Sequence, residues 1–193
     1  IRDRTWHARR RVTITCANTF LGIHCVAHIL RNSNCVVVLP LRAPTLAAKR
    51  ALVQEACDKF GVTAVDDADL KKRIVFIDTD EFDDDATDVI HVTTAMNSLA
   101  DYESVKEANV LWPSALAERC VRSGAVFHYV STLACLWGIE QADEATLPPL
   151  EKAWMARHTG VTQSKIVMEH KLKAMAARKG LKYCVYRIDM LGG

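Results

Sequence analysis

The 193-residue sequence predicts a doubly wound α/β fold, a parallel sheet between two layers of helices in a three-layer αβα arrangement. Three observations carry that expectation. Six apolar segments of strand length alternate with helical stretches. One of them, CVVVLPL at 35–41, is apolar almost throughout, as suits a parallel strand covered on both faces. The third is VTITCANTFLG at 12–22, where a strand turns sharply into a helix.

Taken in order, Val12–Thr15 is the first strand and Phe20–Leu30 the first helix, apolar at Phe20, Leu21, Val26, Ile29 and Leu30. After the strand at 35–41, residues 45–60 are helical and stop at Gly61. Residues 62–71 form a polar turn or short helix, and RIVFI at 73–77 is the third strand. DVIHVTT at 88–94 is the fourth. One helix is expected over 102–123, kinked where Trp112 and Pro113 interrupt it. AVFHYVST at 125–132 is the fifth strand and 138–150 a Pro-containing loop. A long helix at 160–179 ends at Gly180, and LKYCVYRI at 181–188 is the sixth strand. The link between strands three and four is too short for a crossover helix, which needs about a dozen residues. Seven acidic side chains fall between Asp78 and Asp88, read as a solvated loop or, alternatively, a divalent-metal cluster.

Half of the residues are hydrophobic and a quarter charged, an ordinary globular composition. No apolar run approaches membrane-spanning length, and the first residues lack the apolar core of a secretory signal. The net charge of +2 conceals a basic start, since residues 1–11 hold five arginines and one aspartate. They read as a basic linker or arm ahead of one nucleotide-binding domain at 12–193. Without aromatic interleaving or a second basic stripe, that arm argues against a nucleic-acid partner. Seven dispersed cysteines, with no CxxC, predict free thiols in a reducing, cytoplasmic setting. The start without Met and the end at LGG predict a piece of a longer protein.

Four phrases in order, TFLG (19–22), LRA (41–43), HYVSTLA (128–134) and GVTQSK (160–165), carry a likeness over nearly the whole chain. On them the sequence resembles the thioester reductase-like domains of the extended short-chain dehydrogenase/reductase superfamily, which have a Rossmann-like nucleotide-binding fold. Such domains end nonribosomal peptide and polyketide synthases. The resemblance implies NADPH-dependent reduction of a thioester held on a carrier protein's phosphopantetheine arm, with neighbouring domains in a larger chain. It implies cofactor contacts at Cys16, Thr19, Phe20, Leu21 and Gly22 in the first turn. Arg42 and Arg50 would clasp the 2′-phosphate, unless they are merely exposed arginines flanking a helix. Asp78 would face the adenine or be a turn residue, and Asn97 matches a family asparagine, with Met96 before it in place of a valine. Thr132 and Lys165 would be catalytic, and Lys165 would also hold the nicotinamide ribose. The family's small C-terminal substrate subdomain is absent from these residues.

Several positions depart from the family pattern. Its three turn glycines fall on Cys16, Thr19 and Gly22, so only the helix-packing glycine is kept. Cys16 would be strained if the turn required positive φ, and Thr19 would crowd the phosphate oxygens. The tyrosine that donates the proton is replaced by Val161, which has no proton to give. A positioned acid contributes roughly 10²–10⁴ in rate. Tyr129, Thr162 and His158 are the neighbouring substitutes. Tyr129 lies on the strand face opposite Thr132 by alternation, and His158 is the best placed. The closing phrase RIDMLGG keeps Arg187 and Gly192, with Ile188 and Asp189 replacing a proline and a glycine that shape the nicotinamide-side pocket. The expectations are therefore a divergent reductase-like release domain, or a redox-inactive one. The latter would release product by Dieckmann-type cyclisation or serve only as an interaction module.

Overall fold

Arg11–Thr15 form β1, an interior strand that pairs in parallel with β2 (Val36–Pro40) on one edge and β4 (Asp88–His91) on the other. The computed structural model describes residues 10–63, 71–92, 97 and 99–189. With β3 at Ile74–Ile77, β5 at Val126–Thr132 and β6 at Lys182–Ile188, its strands follow the order β3-β2-β1-β4-β5-β6, and every pairing with a described register is parallel. This is the doubly wound order expected from the sequence. Two compact units make up the chain, residues 1–92 and 93–193.

In the first unit, α1 (Phe20–Asn32) buries Ile23, Val26, Ala27 and Leu30, the spacing of one helix face. These join Val12 and Ile14 of β1 and Val37 and Leu39 of β2 in one apolar core. Helix α2 (Leu46–Phe60) starts at the Thr45 cap, whose Oγ1 accepts from Ala48 N at 3.1 Å, and stops at Gly61 with φ of 67°. Strand β3 (Ile74–Ile77) follows.

The link from β3 to β4 contains no crossover helix. Its acidic residues instead hold the chain entering β1. Arg10 Nη2 donates to both Asp88 oxygens at 2.9 and 2.7 Å, and Arg11 Nε donates to Asp83 at 2.9 Å. Thr87 N and Oγ1 donate to Arg11 O at 2.9 and 3.0 Å. Arg10 and Arg11 of the basic start and the acidic residues Asp83 and Asp88, read separately in the sequence, are partners.

In the second unit the single kinked helix expected over 102–123 is three pieces. Helix α3 (Tyr102–Lys106) leads into a π-helical turn (Glu107–Leu111), then α4 (Trp112–Ser123). Pro113 has no N–H to continue the α-helical ladder. The register widens just before it, and Trp112 N bonds Glu107 O, five residues back. Strand β5 (Val126–Thr132) ends in a 3₁₀ turn (Leu133–Leu136). A short α5 (Lys152–Met155) precedes α6 (Gly160–Lys179) and β6 (Lys182–Ile188). Helix α6 is fastened to the strands by Glu169, which is 1% exposed. Its carboxylate accepts from Arg187 Nη2 at 2.7 Å and from Ser131 Oγ at 2.5 Å. Among the described residues no helix is long and apolar enough to cross a membrane.

The Arg10 side chain is 63% exposed, so its pairing with Asp88 is a screened, modest contact. Asp88→Asn is expected to lower unfolding free energy by about 1 kcal/mol in urea, with the m-value unchanged. The deficit should shrink at about 1 M salt.

Candidate functional site

The turn after β1 lacks the first two glycines of the family pattern and has the third, Gly22. Cys16 adopts φ of 53°, the only positive value at a non-glycine among the described residues. The strain expected for Cys16 is therefore present. Cys16 O accepts from Thr19 N at 3.0 Å and from Thr19 Oγ1 at 2.7 Å. Thr19 Oγ1 in turn accepts from Gly22 N at 3.3 Å, which makes Thr19 the cap of α1. Its hydroxyl is folded back into the turn as the cap of the helix. The first two helical amides, of Phe20 and Leu21, have no intrahelical acceptor. A Cβ on Gly22 would lie 2.3 Å from Cys16 O and 2.9 Å from Ala17 Cα. Only glycine fits there.

Arg42 is exposed in the segment after β2, and Arg50 is exposed on α2. Arg50 borders a cavity of about 640 Å³ lined by Ala47, Gln54, Lys71, Ile74 and Phe76 among others. Asp78, at the end of β3, is ion-paired to Lys49 at 2.6 Å, a residue the sequence reading passed over. Asn97 is exposed and accepts from Leu99 N at 3.0 Å through Oδ1. Met96 and Gly192 lie outside the described residues.

At the start of α6 each retained motif residue has a structural partner. A Cβ on Gly160 would lie 2.2 Å from Asp101 C and 2.5 Å from Ala100 O, so the helix begins against the backbone ahead of α3. Gln163 Nε2 donates to Met155 O and His158 O, both at 2.9 Å. Ser164 Oγ donates to Val161 O at 2.6 Å and accepts from Asn109 Nδ2 of the π-helical turn at 3.2 Å. Lys165 is 3% exposed. Its Nζ donates to Val130 O at 2.7 Å and lies 4.6 Å from the centre of the Tyr129 ring. Val161 is half-buried.

Thr132 is half-buried at the end of β5, and its Oγ1 accepts from Ala134 N at 3.2 Å. The hydroxyl proton remains for an outside acceptor. Lys165 and Thr132 thus meet the same strand two residues apart. Tyr129 and Ser131 share the face that α6 covers, so alternation does set Tyr129 apart from Thr132. Tyr129 is fully buried, and burial, then the nearby Cys135 and Glu169, push its pKa well above the usual value. Its hydroxyl is therefore a weaker acid than that of a free tyrosine. Thr162 N donates to Thr159 Oγ1 at 3.3 Å, part of the α6 cap, and its side chain is buried. His158 packs on Trp154 with ring centres 5.5 Å apart. Burial and the neighbouring Arg157 charge hold its pKa below the ordinary 6.5. Arg187 is committed to Glu169 and to Thr146 O at 2.6 Å.

A family model of NAD-binding male sterility proteins matches residues 14–193. The chain belongs to that family. The thioester reductase-like character read from its motifs agrees with this. The chain is 26% identical to the isonitrile lipopeptide synthase of Streptomyces coeruleorubidus over 201 residues, covering 95% of this chain and 13% of the synthase. The terminal R domain from the myxalamid PKS-NRPS biosynthetic pathway shares the fold with a TM-score of 0.81 at 24% identity, over 96% of this chain and 50% of that one. A thiolation-reductase di-domain from an archaeal non-ribosomal peptide synthetase has a TM-score of 0.71 at 18% identity, over 94% and 41%. The chain spans half or less of each.

Gly160→Ala is expected to cost about 1–3 kcal/mol of stability in denaturant titration, because backbone atoms fill the space a methyl would need. For His158, whose pKa is depressed on folding, the stabilising contribution is present above pH 6.5 and is lost as pH falls through the lower folded value. Denaturant midpoints taken on the acid side of pH 6.5 should show that loss in the unaltered chain, and His158→Leu should lack that component.

Proposed function

We propose that this chain is the nucleotide-binding part of a release domain in a nonribosomal peptide or polyketide-type synthase. It takes NADPH and serves the reduction of a thioester tethered to a carrier protein. The observation that carries this reading is the turn at Cys16–Gly22, which holds a positive-φ backbone and a Cβ-free contact without its first two glycines. The named functions of the similar synthases and R domains support it, and so does membership of an NAD-binding family.

The residues fit the cofactor at its phosphate end. The open amides of Phe20 and Leu21 and the positive end of α1 attract an anion. Arg42 offers a guanidinium fork to a 2′-phosphate. When bound, NADPH supplies the hydride. Thr132 has a hydroxyl proton to donate to a carbonyl oxygen, and Lys165 fixes a positive charge beside the end of β5 through Val130 O. A general acid at Val161 is wanting.

That want favours a second reading, release without hydride. A Dieckmann-type cyclisation needs a base and a donor to the oxyanion, for which Thr132 serves, and no tyrosine. A non-catalytic interaction module would need none of these groups.

Fluorescence titration of NADPH into the chain, repeated with Arg42→Ala, tests the first reading. Micromolar binding weakened by the substitution is the expected result. Val161→Tyr, four residues before Lys165, should then raise hydride transfer to an acyl thioester by roughly 10²–10⁴. An absence of binding up to millimolar NADPH would overturn the reductase reading and leave the second.

A further inference from the structure

Helix α2 buries Lys49, Val53, Ala56 and Cys57, the i, i+4, i+7, i+8 stripe of a core-facing helix. One position of that stripe is a lysine. Its side chain is 9% exposed, while the Asp78 carboxylate it holds at 2.6 Å is 57% exposed. Asp78 would be well solvated without a partner, so the pair adds little stability. Burying an ammonium in an apolar stripe carries a desolvation cost. An aliphatic residue would serve the fold at least as well.

The pair sits where charge has a second consequence. Pro40 lies opposite Ile77, and Leu41 N bonds Ile77 O at 3.1 Å. That register sets Leu41 beside Asp78, and Arg42 follows at the carboxyl ends of β2 and β3. Ligands of doubly wound sheets bind beyond those ends. Glu81 adds a second carboxylate, accepting from Asp78 N at 2.9 Å. The exposed Asp80 is close by in sequence. An unneutralised Asp78 would set a negative charge next to Arg42 and repel an additional phosphate.

Resting on the nucleotide reading above, we propose that Lys49 is a specificity-determining residue acting through Asp78. By cancelling that carboxylate, it lets the β2–β3 end accept a nucleotide phosphorylated on its adenosine ribose. Lys49 does not touch the phosphate; Arg42 does.

Calorimetric titration with 2′,5′-ADP and 5′-ADP separates the effects, with thermal melts to follow folding. The unaltered chain should prefer 2′,5′-ADP. Lys49→Met, similar in length and apolar, should lower affinity for 2′,5′-ADP roughly tenfold while changing 5′-ADP by less than about threefold. Lys49→Arg should keep the preference, and Lys49→Met with Asp78→Asn should restore it. Asp78→Asn alone leaves the buried position filled, so it reports even if Lys49→Met unfolds; it should keep or strengthen the preference. An unchanged ratio in Lys49→Met, a failure of Asp78→Asn to rescue it, or a preference lost in Asp78→Asn alone would overturn the inference. So would equal binding of both nucleotides by the unaltered chain, with the nucleotide reading left standing. Binding of neither would overturn that reading and this inference with it.

Discussion

The second unit is organised by one buried carboxylate. Glu169 is 1% exposed, and a charge so placed is tolerated only when fully bonded. Arg187 and Ser131 supply those bonds from β6 and β5, and Arg187 reaches on to Thr146 O. Helix α6 therefore has a fixed rotation and height above the strands. Lys165, one turn earlier, is brought to Val130 O, and Gly160, at the head of the helix, meets the backbone before α3. The same burial and charge push the Cys135 thiol up to about 11, so it stays protonated.

Several motif residues of this chain have a packing or hydrogen-bonding reason for their identity. Gly22 and Gly160 have backbone atoms where a Cβ would stand, so replacement would force the structure apart. Gln163 and Ser164 satisfy part-buried carbonyls and the buried Asn109 amide. Their loss would leave buried polar groups unpaired, at about 1–3 kcal/mol each. The tyrosine position carries no such penalty, and half-buried Val161 packs there.

The strands and the long helices were legible because their periodicity is a local property. The turn at Cys16 was legible too, since strand, turn and helix adjoin in sequence. The π-helical turn was not: Pro113 announces a break but not the wider register that Trp112 adopts with Glu107. Arg10 with Asp88, and Arg11 with Asp83, were read as a linker and a solvated loop. Those partners lie more than 70 residues apart and meet only because β1 and β4 are neighbours in the sheet. Lys49 escaped notice for a related reason, as a lysine among alanines gives no hint that it faces the core. The capping bond of Thr19 was not legible, because it depends on the rotamer.

The strap between Arg10, Arg11 and the acidic loop also decides how the first unit bears force. Strand β1 is bonded along both edges, to β2 and to β4. A pull on the chain at residue 10 along the strand axis loads those two ladders in shear, so their bonds share the strain instead of opening one by one. The ion pairs lie at the first rungs of those ladders, where Arg11 pairs with Val36 and Asp88 with Val12. A pull at residue 10 therefore strains the ion pairs and the start of both ladders together before the load reaches the turn at Cys16.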